Sequence, residues 1–332
     1  MGNILCIIDG MTDEDFRFEQ YPNLNRAKNR FAYGTLDTVP DGARAESLPC
    51  ILSILGVEDG DIGMFSRGWV EALGAEIPFL SNDMLVRTTC VSVGRDGRIG
   101  GVREMPPTDE PGLYQIGSYQ GLLVLKGMAD ETDKTRTFAP YSNPNAEIKD
   151  LIPLGCEALA EFAKRNFKRE YALVPWGQAA SGEVMARHEN SVMVASAPIA
   201  KGIARALGMR CITPRGATGD TDTDLVAKLE CSLESAQEKD FVCLHINGAD
   251  EASHRADKRA KREFLNRIDS LLVQRLCESK NRVLICSDHG TSPENGAHIG
   301  APQPFILISD EKRGNLNSVK ATGAINILKG LI

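Results

Sequence analysis

Three short segments of this chain are apolar at nearly every position, and each leads to an aspartate. Residues 3–8 (NILCII) run into Asp9, residues 241–246 (FVCLHI) reach Asp250 after the step NGA, and residues 283–287 (VLICS) run into Asp288. A run without polar alternation marks a strand covered on both faces, as in a mostly parallel sheet clothed by helices; a sheet with one wet face alternates instead. The carboxyl ends of such strands open onto the crevice where α/β sheets place their ligands. One aspartate after one strand is an ordinary turn former. Three of them, two with histidines close by, are more than turn chemistry requires.

The histidines sharpen the pattern. The chain has five, and three of them belong to it: His254, His289 and His298. Asp250 and His254 are four apart and share one face of a helical turn. His289 follows Asp288 directly, and His298 lies nine residues further on. Mixed Asp/His donor sets suit Mn²⁺ or Zn²⁺, whereas Mg²⁺ and Ca²⁺ favour all-oxygen shells. There are more donors here than one ion needs, so convergence of all of them predicts a two-metal site able to activate a nucleophile and neutralise phosphoryl oxygens. Ser47-Leu48-Pro49 precedes CILSILG, where Ser47 fits a helix N-cap, Pro49 the first turn and Gly56 the C-terminal stop. A helix start also gathers N–H groups and positive potential that stabilise a phosphoryl group. His245 sits inside an apolar run and reads as a core residue.

At 332 residues the chain is too long for one comfortable domain. The α/β rhythm runs to about residue 75, breaks, and resumes at 190 with a strand at SVMVA, a helix at PIAKGIARALG and a strand at MRCI. We therefore expect a discontinuous core, residues 1–75 and 190–332, with an inserted α+β lobe at 76–189. Within the lobe, residues 84–93 and the turn GRDGR predict a hairpin. Residues 129–145 read as a long exposed loop, and residues 157–167 as a helix. The charged stretch 255–280 reads as helix with a solvated outer face. A formal net charge of -7 argues against a general nucleic-acid or anionic-membrane surface. The opening MGNILCIIDG has no basic region, and its apolar run is too short for a signal peptide or a membrane span. Nine cysteines without CxxC spacing fit a reducing, cytosolic setting. A P-loop GxxxxGK[ST] is absent from the sequence.

At these residues the chain resembles the alkaline phosphatase superfamily, and within it the cofactor-independent phosphoglycerate mutases of archaeal type. RGWVEALGA (67–75), AKGIARALGM (200–209), GATGDTDTD (216–224) and FVCLHINGADEASH (241–254) are similar to that family's segments in the same order. VPWGQ (174–178) is similar to bacterial members, some of them proposed homoserine kinases. The resemblance implies an alkaline-phosphatase-like α/β core with a substrate-gripping lobe. It implies one divalent ion on Asp9, Ser47, Asp288 and His289, and a second on Asp250, His254 and His298. Ser47 would be the nucleophile of a phosphoserine intermediate in the interconversion of 3- and 2-phosphoglycerate, with Lys201 near the transferred phosphate. Arg87 matches an arginine that helps hold substrate, and Arg67 is a further candidate.

The partner implied is a small phosphorylated substrate, and homo-oligomerisation is left open. The sequence also departs from the family. Ser-Leu-Pro replaces Ser-Asp-Thr at the nucleophile, DTDTD replaces a Tyr-Leu-Asp-Thr-Asn segment, and Trp176 stands where an arginine is expected. Loss of substrate-holding groups would let water accept the phosphoryl group. A phosphatase, a homoserine kinase-like enzyme and a non-catalytic metal-binding relative are therefore the alternatives.

Overall fold

A computed structural model describes residues 2–140 and 146–331. The chain forms two units, Met1–Gly63 with Val184–Ile332, and Met64–Glu183. The first unit opens with β1 (Asn3–Ile8), α1 (Pro22–Arg30), β2 (Ala32–Asp37), α2 (Ser47–Ile54) and the single turn α3 (Asp59–Ile62). The second contains α4 (Arg67–Ala75), β3 (Met84–Val93), β4 (Ile99–Val102), β5 (Leu113–Gln115), β6 (Gln120–Leu125), α5 (Glu157–Asn166) and β7 (Tyr171–Ala179). The first then resumes with β8 (Ser191–Val194), α6 (Pro198–Ala206), β9 (Arg210–Ile212), α7 (Leu225–Ser235), β10 (Phe241–Ile246) and α8 (Gly248–His254). It continues through α9 (Lys258–Ile268), a π-helical turn at Asp269–Val273, α10 (Gln274–Glu278) and β11 (Arg282–Cys286). It ends with β12 (Gly290–Thr291), β13 (His298–Ile299), β14 (Gln303–Ile308), β15 (Gly314–Lys320) and α11 (Ala324–Lys329).

The three apolar runs are the centre of the first unit. Its eight-stranded sheet has the order β15-β2-β14-β11-β1-β10-β8-β9. Strand β1 pairs in parallel with β10 on one side and β11 on the other, and β8 and β9 extend the parallel part. Only β14 runs against its neighbours. Every residue of β10 and β11 is buried, as expected of strands covered on both faces. Residues on one sheet face, including Ile4, Cys6, Ile8, Val242 and Leu244, pack with Leu229, Phe264, Ile268 and Leu272 into one core. Because the three strands are parallel and in register, Asp9, Asp250 and Asp288 leave the sheet at the same edge. Gly10 adopts φ +64°, and a Cβ there would lie 2.7 Å from the Asp250 Cα. A glycine is what lets the first loop pass so close to α8.

In the second unit β3 is the organiser. Strand β6 pairs with its first part, β4 with its last residues, and β7 runs along its other edge, all antiparallel. Leu159 and Phe162 of α5 pack on Met84, Val86 and Leu123. The boundary differs from the expected 75 and 190, because α4 belongs to this unit and not to the core. Gly68 of α4 lies so close to β3 that a Cβ there would meet the Leu85 carbonyl oxygen at 2.3 Å. The expected loop 129–145 is described up to residue 140 and starts with a short 3-10 turn at Ala129–Glu131; its last part, 141–145, falls outside the described residues.

Candidate metal centre

The three strand ends and the helix that follows β10 bring two donor groups together. Asp9, Asp288 and His289 form one, and Asp250, His254 and His298 the other, with the donor atoms of each group within 4.8 Å of one another. In the first, His289 Nε2 lies 3.6 Å from Asp9 Oδ1 and 3.5 Å from Asp288 Oδ2. In the second, His254 Nε2 lies 3.1 Å from Asp250 Oδ2 and 3.2 Å from His298 Nε2. The four-residue step of α8 is what points Asp250 and His254 the same way. The imidazoles of His289 and His298 stack with centroids 4.0 Å apart, so the two groups adjoin.

Ser47 joins the first group, its Oγ 3.3 Å from His289 Nε2. It is not the N-cap that the sequence suggested. Glu46 holds that position with extended backbone, Ser47 is the first helical residue, and no side chain caps the helix. The hydroxyl is thereby left to face the imidazole. The first N–H groups of an α-helix have no intrahelical acceptor, so α2 presents donors beside this hydroxyl.

The chemistry of these residues asks for cations. All four carboxylate oxygens of Asp9 and Asp288 are buried without a hydrogen-bond partner among the described residues. An ionised carboxylate taken out of water costs several kcal/mol unless something compensates it. Burial first, and then the Asp288 and Asp250 charges, hold the Asp9 carboxyl well above the usual range. Burial, then Asp250, pushes Asp288 up to about 7. Burial also works to raise Asp250, but the neighbouring His254 and then His298 outweigh it and hold that carboxyl low. Burial, followed by the charge of His289, brings His298 down to about 4.

Two of the imidazoles are already oriented for a cation. His298 Nδ1 lies 2.7 Å from the Ala45 carbonyl and His289 Nδ1 3.2 Å from the Gly290 carbonyl. A carbonyl only accepts, so both rings carry their proton on Nδ1 and turn a bare Nε2 inward, the arrangement that second-sphere partners give to metal-binding histidines. Oxygen and imidazole donors of this kind fit Mn²⁺ or Zn²⁺.

The remaining candidates lie elsewhere. Lys201 is on α6, which packs against α2. Arg67 and Arg87 are in the second unit. Arg87 is buried, with Nη1 2.5 Å from Glu71 Oε2, and Arg67 Nε lies 3.1 Å from the other oxygen of the same carboxylate. Both guanidinium groups sit over the Trp176 ring, whose Nε1–H donates to Thr89 Oγ1 at 2.9 Å. Arg87 is thus a buried position of β3. His245 is in the core as expected, yet its Nε2 faces Asp9 Oδ2 at 3.4 Å.

Sequence reasoning missed Thr291 and Lys261. Thr291 Oγ1 donates to Asp250 Oδ1 at 2.6 Å. Lys261, on the inner face of the charged helix α9, donates through Nζ to the carbonyls of Thr12 (3.0 Å) and Thr291 (2.7 Å). Thr291 stands two residues after His289, but a hydroxyl at that spacing is no signal of its own. Lys261 had none among so many charged neighbours.

Comparison with known proteins shows the family. The 2,3-bisphosphoglycerate-independent phosphoglycerate mutase of Methanopyrus kandleri is 27% identical, over 93% of this chain and 88% of that protein. The enzyme of the same name from Thermococcus kodakarensis is also 27% identical, over 92% and 87%. A solved protein of Pyrococcus horikoshii shares the fold at a TM-score of 0.70 with 21% identity, covering 99% of this chain and 97% of that one. The cofactor-independent phosphoglycerate mutase of Thermoplasma acidophilum does so at 0.54 with 17% identity, covering 100% of both chains. The family model described as Metalloenzyme superfamily matches residues 2–331, nearly the full length, and the chain belongs to that superfamily.

Proposed function

We propose that this protein is a phosphoglycerate mutase that needs two divalent ions, Mn²⁺ or Zn²⁺, and no phosphorylated cofactor. The observation that carries the reading is the placement of the Ser47 hydroxyl at 3.3 Å from His289 Nε2, on the edge of the Asp9, Asp288 and His289 group. Asp9, Ser47, Asp288 and His289 would hold one ion, and Asp250, His254 and His298 the other. Bound there, the ions supply Lewis acidity that favours the serine alkoxide and neutralises phosphoryl oxygens.

The chain's own residues do the rest. Ser47 Oγ attacks phosphorus in line as the bond to the glycerate oxygen breaks, giving phosphoserine and free glycerate. The reverse attack by the neighbouring glycerate hydroxyl restores Ser47 and completes the transfer. The first-turn N–H groups of α2 face the transferring group, and Lys201 adds a positive charge to it. Three carboxylates against two divalent ions leave one positive charge, which favours ionisation of Ser47. The resemblance assigns the holding of substrate to Arg87 and Arg67. The names of the relatives in Methanopyrus and Thermococcus support the choice of phosphoglycerate. The substrate is thus a small phosphorylated metabolite of glycolysis, not a nucleic acid or a membrane, in a cytosolic setting. Among the described residues no helix is long and apolar enough to cross a membrane.

The test is conversion of 3-phosphoglycerate to 2-phosphoglycerate by metal-stripped protein refilled with Mn²⁺, beside Ser47→Ala. Activity that requires both Mn²⁺ and Ser47 is expected. One observation favours a second reading: Trp176, where the resemblance called for an arginine, brings no charge to the lobe. Release of free phosphate would make the enzyme a phosphatase. Turnover only with ATP and homoserine would make it a kinase. Ions bound without any turnover would leave a non-catalytic metal-binding relative.

A further inference from the structure

We infer that Thr291 is the positioning residue that locks the two ion subsites into one geometry, an inference that rests on the two-ion reading above. Its hydroxyl is hydrogen-bonded to a member of each donor set. It donates to Asp250 Oδ1 at 2.6 Å and lies 3.3 Å from His289 Nδ1. A hydroxyl has one proton and two lone pairs. With the proton committed to the carboxylate at the shorter distance, the lone pairs accept from the imidazole. The Gly290 carbonyl at 3.2 Å from the same Nδ1 makes the same demand, since it can only accept. Thr291 thus favours the His289 tautomer with a bare Nε2, the atom that faces Asp9, Asp288 and Ser47.

The backbone of Thr291 is fixed as tightly as its side chain. Its N–H donates to the Thr12 carbonyl at 2.9 Å, and its own carbonyl accepts from Lys261 Nζ at 2.7 Å. In the β12–β13 ladder it stands directly opposite His298, a third candidate ligand. The residue is fully buried, so its hydroxyl has no water to turn to. A threonine that only filled space would have no reason to bridge the two sets. Valine has nearly the same shape and would keep the packing while removing the bridge. Serine keeps the bridge and loses a methyl group.

The consequence differs from that of losing a ligand. His254→Ala takes a donor from one subsite and should weaken that ion. Thr291→Val takes no donor but loosens Asp250 in one subsite and His289 in the other, so both ions should weaken together. The experiment is calorimetric titration of Mn²⁺ into metal-stripped wild type, Thr291→Val and Thr291→Ser, with the His289 ring nitrogens followed by ¹⁵N NMR in metal-free and zinc-loaded protein. We expect two ions in the wild type. For Thr291→Val we expect a loss of about 10–100-fold in affinity at both subsites, the size of effect that outer-sphere partners carry. Thr291→Ser should restore most of it, and His289 should be protonated on Nδ1 in the wild type. Equal binding by wild type and Thr291→Val, or weakening at one subsite alone, would overturn the inference and leave the two-ion reading standing. A wild type that binds no ion would overturn both. Should Thr291→Val fail to fold, the wild-type tautomer still decides: a proton on Nε2 of metal-free His289 would overturn the inference.

Discussion

Asp9 and Asp288 are carboxyls that either a proton or a cation must neutralise, because burial and neighbouring carboxylates raise both. The sign of the pH effect follows from linkage. A carboxyl whose folded pKa lies above its unfolded value binds more protons in the native state, so it lowers stability as pH rises through that window. For Asp288 the window runs from the ordinary value 3.8 to about 7. His298, lowered from 6.5 to about 4, and His245, lowered by burial and then Lys228 to about 3, act in the opposite direction, but only below 6.5. Between 6.5 and about 8 the carboxyls dominate; Lys228, lowered by burial to about 8, opposes them only from there upward. The metal-free protein should therefore lose unfolding temperature between pH 6.5 and 8, and saturating Mn²⁺ should abolish the fall. Differential scanning calorimetry in both states checks this, and a flat profile without metal would contradict it. The candidate ligands themselves were legible in the sequence, because aspartate at the end of a buried strand and histidine one helical turn later are local signals. Thr291 was not, since a hydroxyl reveals its role only when its partners are placed around it.

At the level of elements, legibility followed burial. Strands β1, β10 and β11 are apolar at nearly every position because both faces are covered, and a near-continuous run shows them. Strand β15 (GNLNSVK) is an exposed edge with an irregular register between Asn315 and Ser318, and it has no apolar face to read. Helix α1 begins at Pro22 and buries only Leu24 and Ala27, too few for a visible period. The π-helical turn at Asp269–Val273 was equally hidden, although it places Asp269 Oδ1 2.7 Å from the Leu24 N–H at the start of α1. Helix α9 looked like a solvated element, and its outer face is one. Its inner face holds Lys261 with Phe264, Leu265 and Ile268. The Lys261 ammonium joins the loop after β1 to β12 through two backbone carbonyls, with Asp13 at 3.4 Å. Lys261→Met would strip both carbonyls of their donor and cost about 1–3 kcal/mol. It should lower the urea midpoint without changing the slope, and weaken Mn²⁺ binding through the displaced Thr291. Arg259→Ala, two residues away in an exposed pair with Glu263, should move neither quantity. Equal effects of the two substitutions would show that the charge of α9, and not the Lys261 bridge, matters.

Across the whole chain, the candidate machinery divides between the two units. Asp9, Ser47, Asp250, His254, Asp288, His289 and His298 all belong to the first, while Arg67, Arg87 and Trp176 belong to the second. The first unit is interrupted in sequence, but the two ends of the interruption meet within it. Arg187 Nη2 lies 2.7 Å from Asp61 Oδ2 and its Nη1 3.1 Å from the Gly56 carbonyl, and the ring of His188 reaches the Leu55 carbonyl at 2.8 Å. Chain closure by a short flexible linker costs little when the ends are already near one another. A protein with residues 64–183 replaced by a short Gly/Ser linker should therefore fold and bind two Mn²⁺ ions in calorimetric titration. It should lose the conversion of 3- to 2-phosphoglycerate, because Arg67 and Arg87, the residues proposed to retain the glycerate, are removed with residues 64–183. If phosphoserine still forms at Ser47, water becomes the acceptor and the product is free phosphate. Release of phosphate by the shortened protein, with isomerisation only in the full chain, would assign transfer chemistry to the first unit and retention of substrate to the second. Failure of the shortened but folded protein to bind ions would mean that the inserted unit contributes to the metal centre itself, and the division of labour argued from the ligand positions would be wrong.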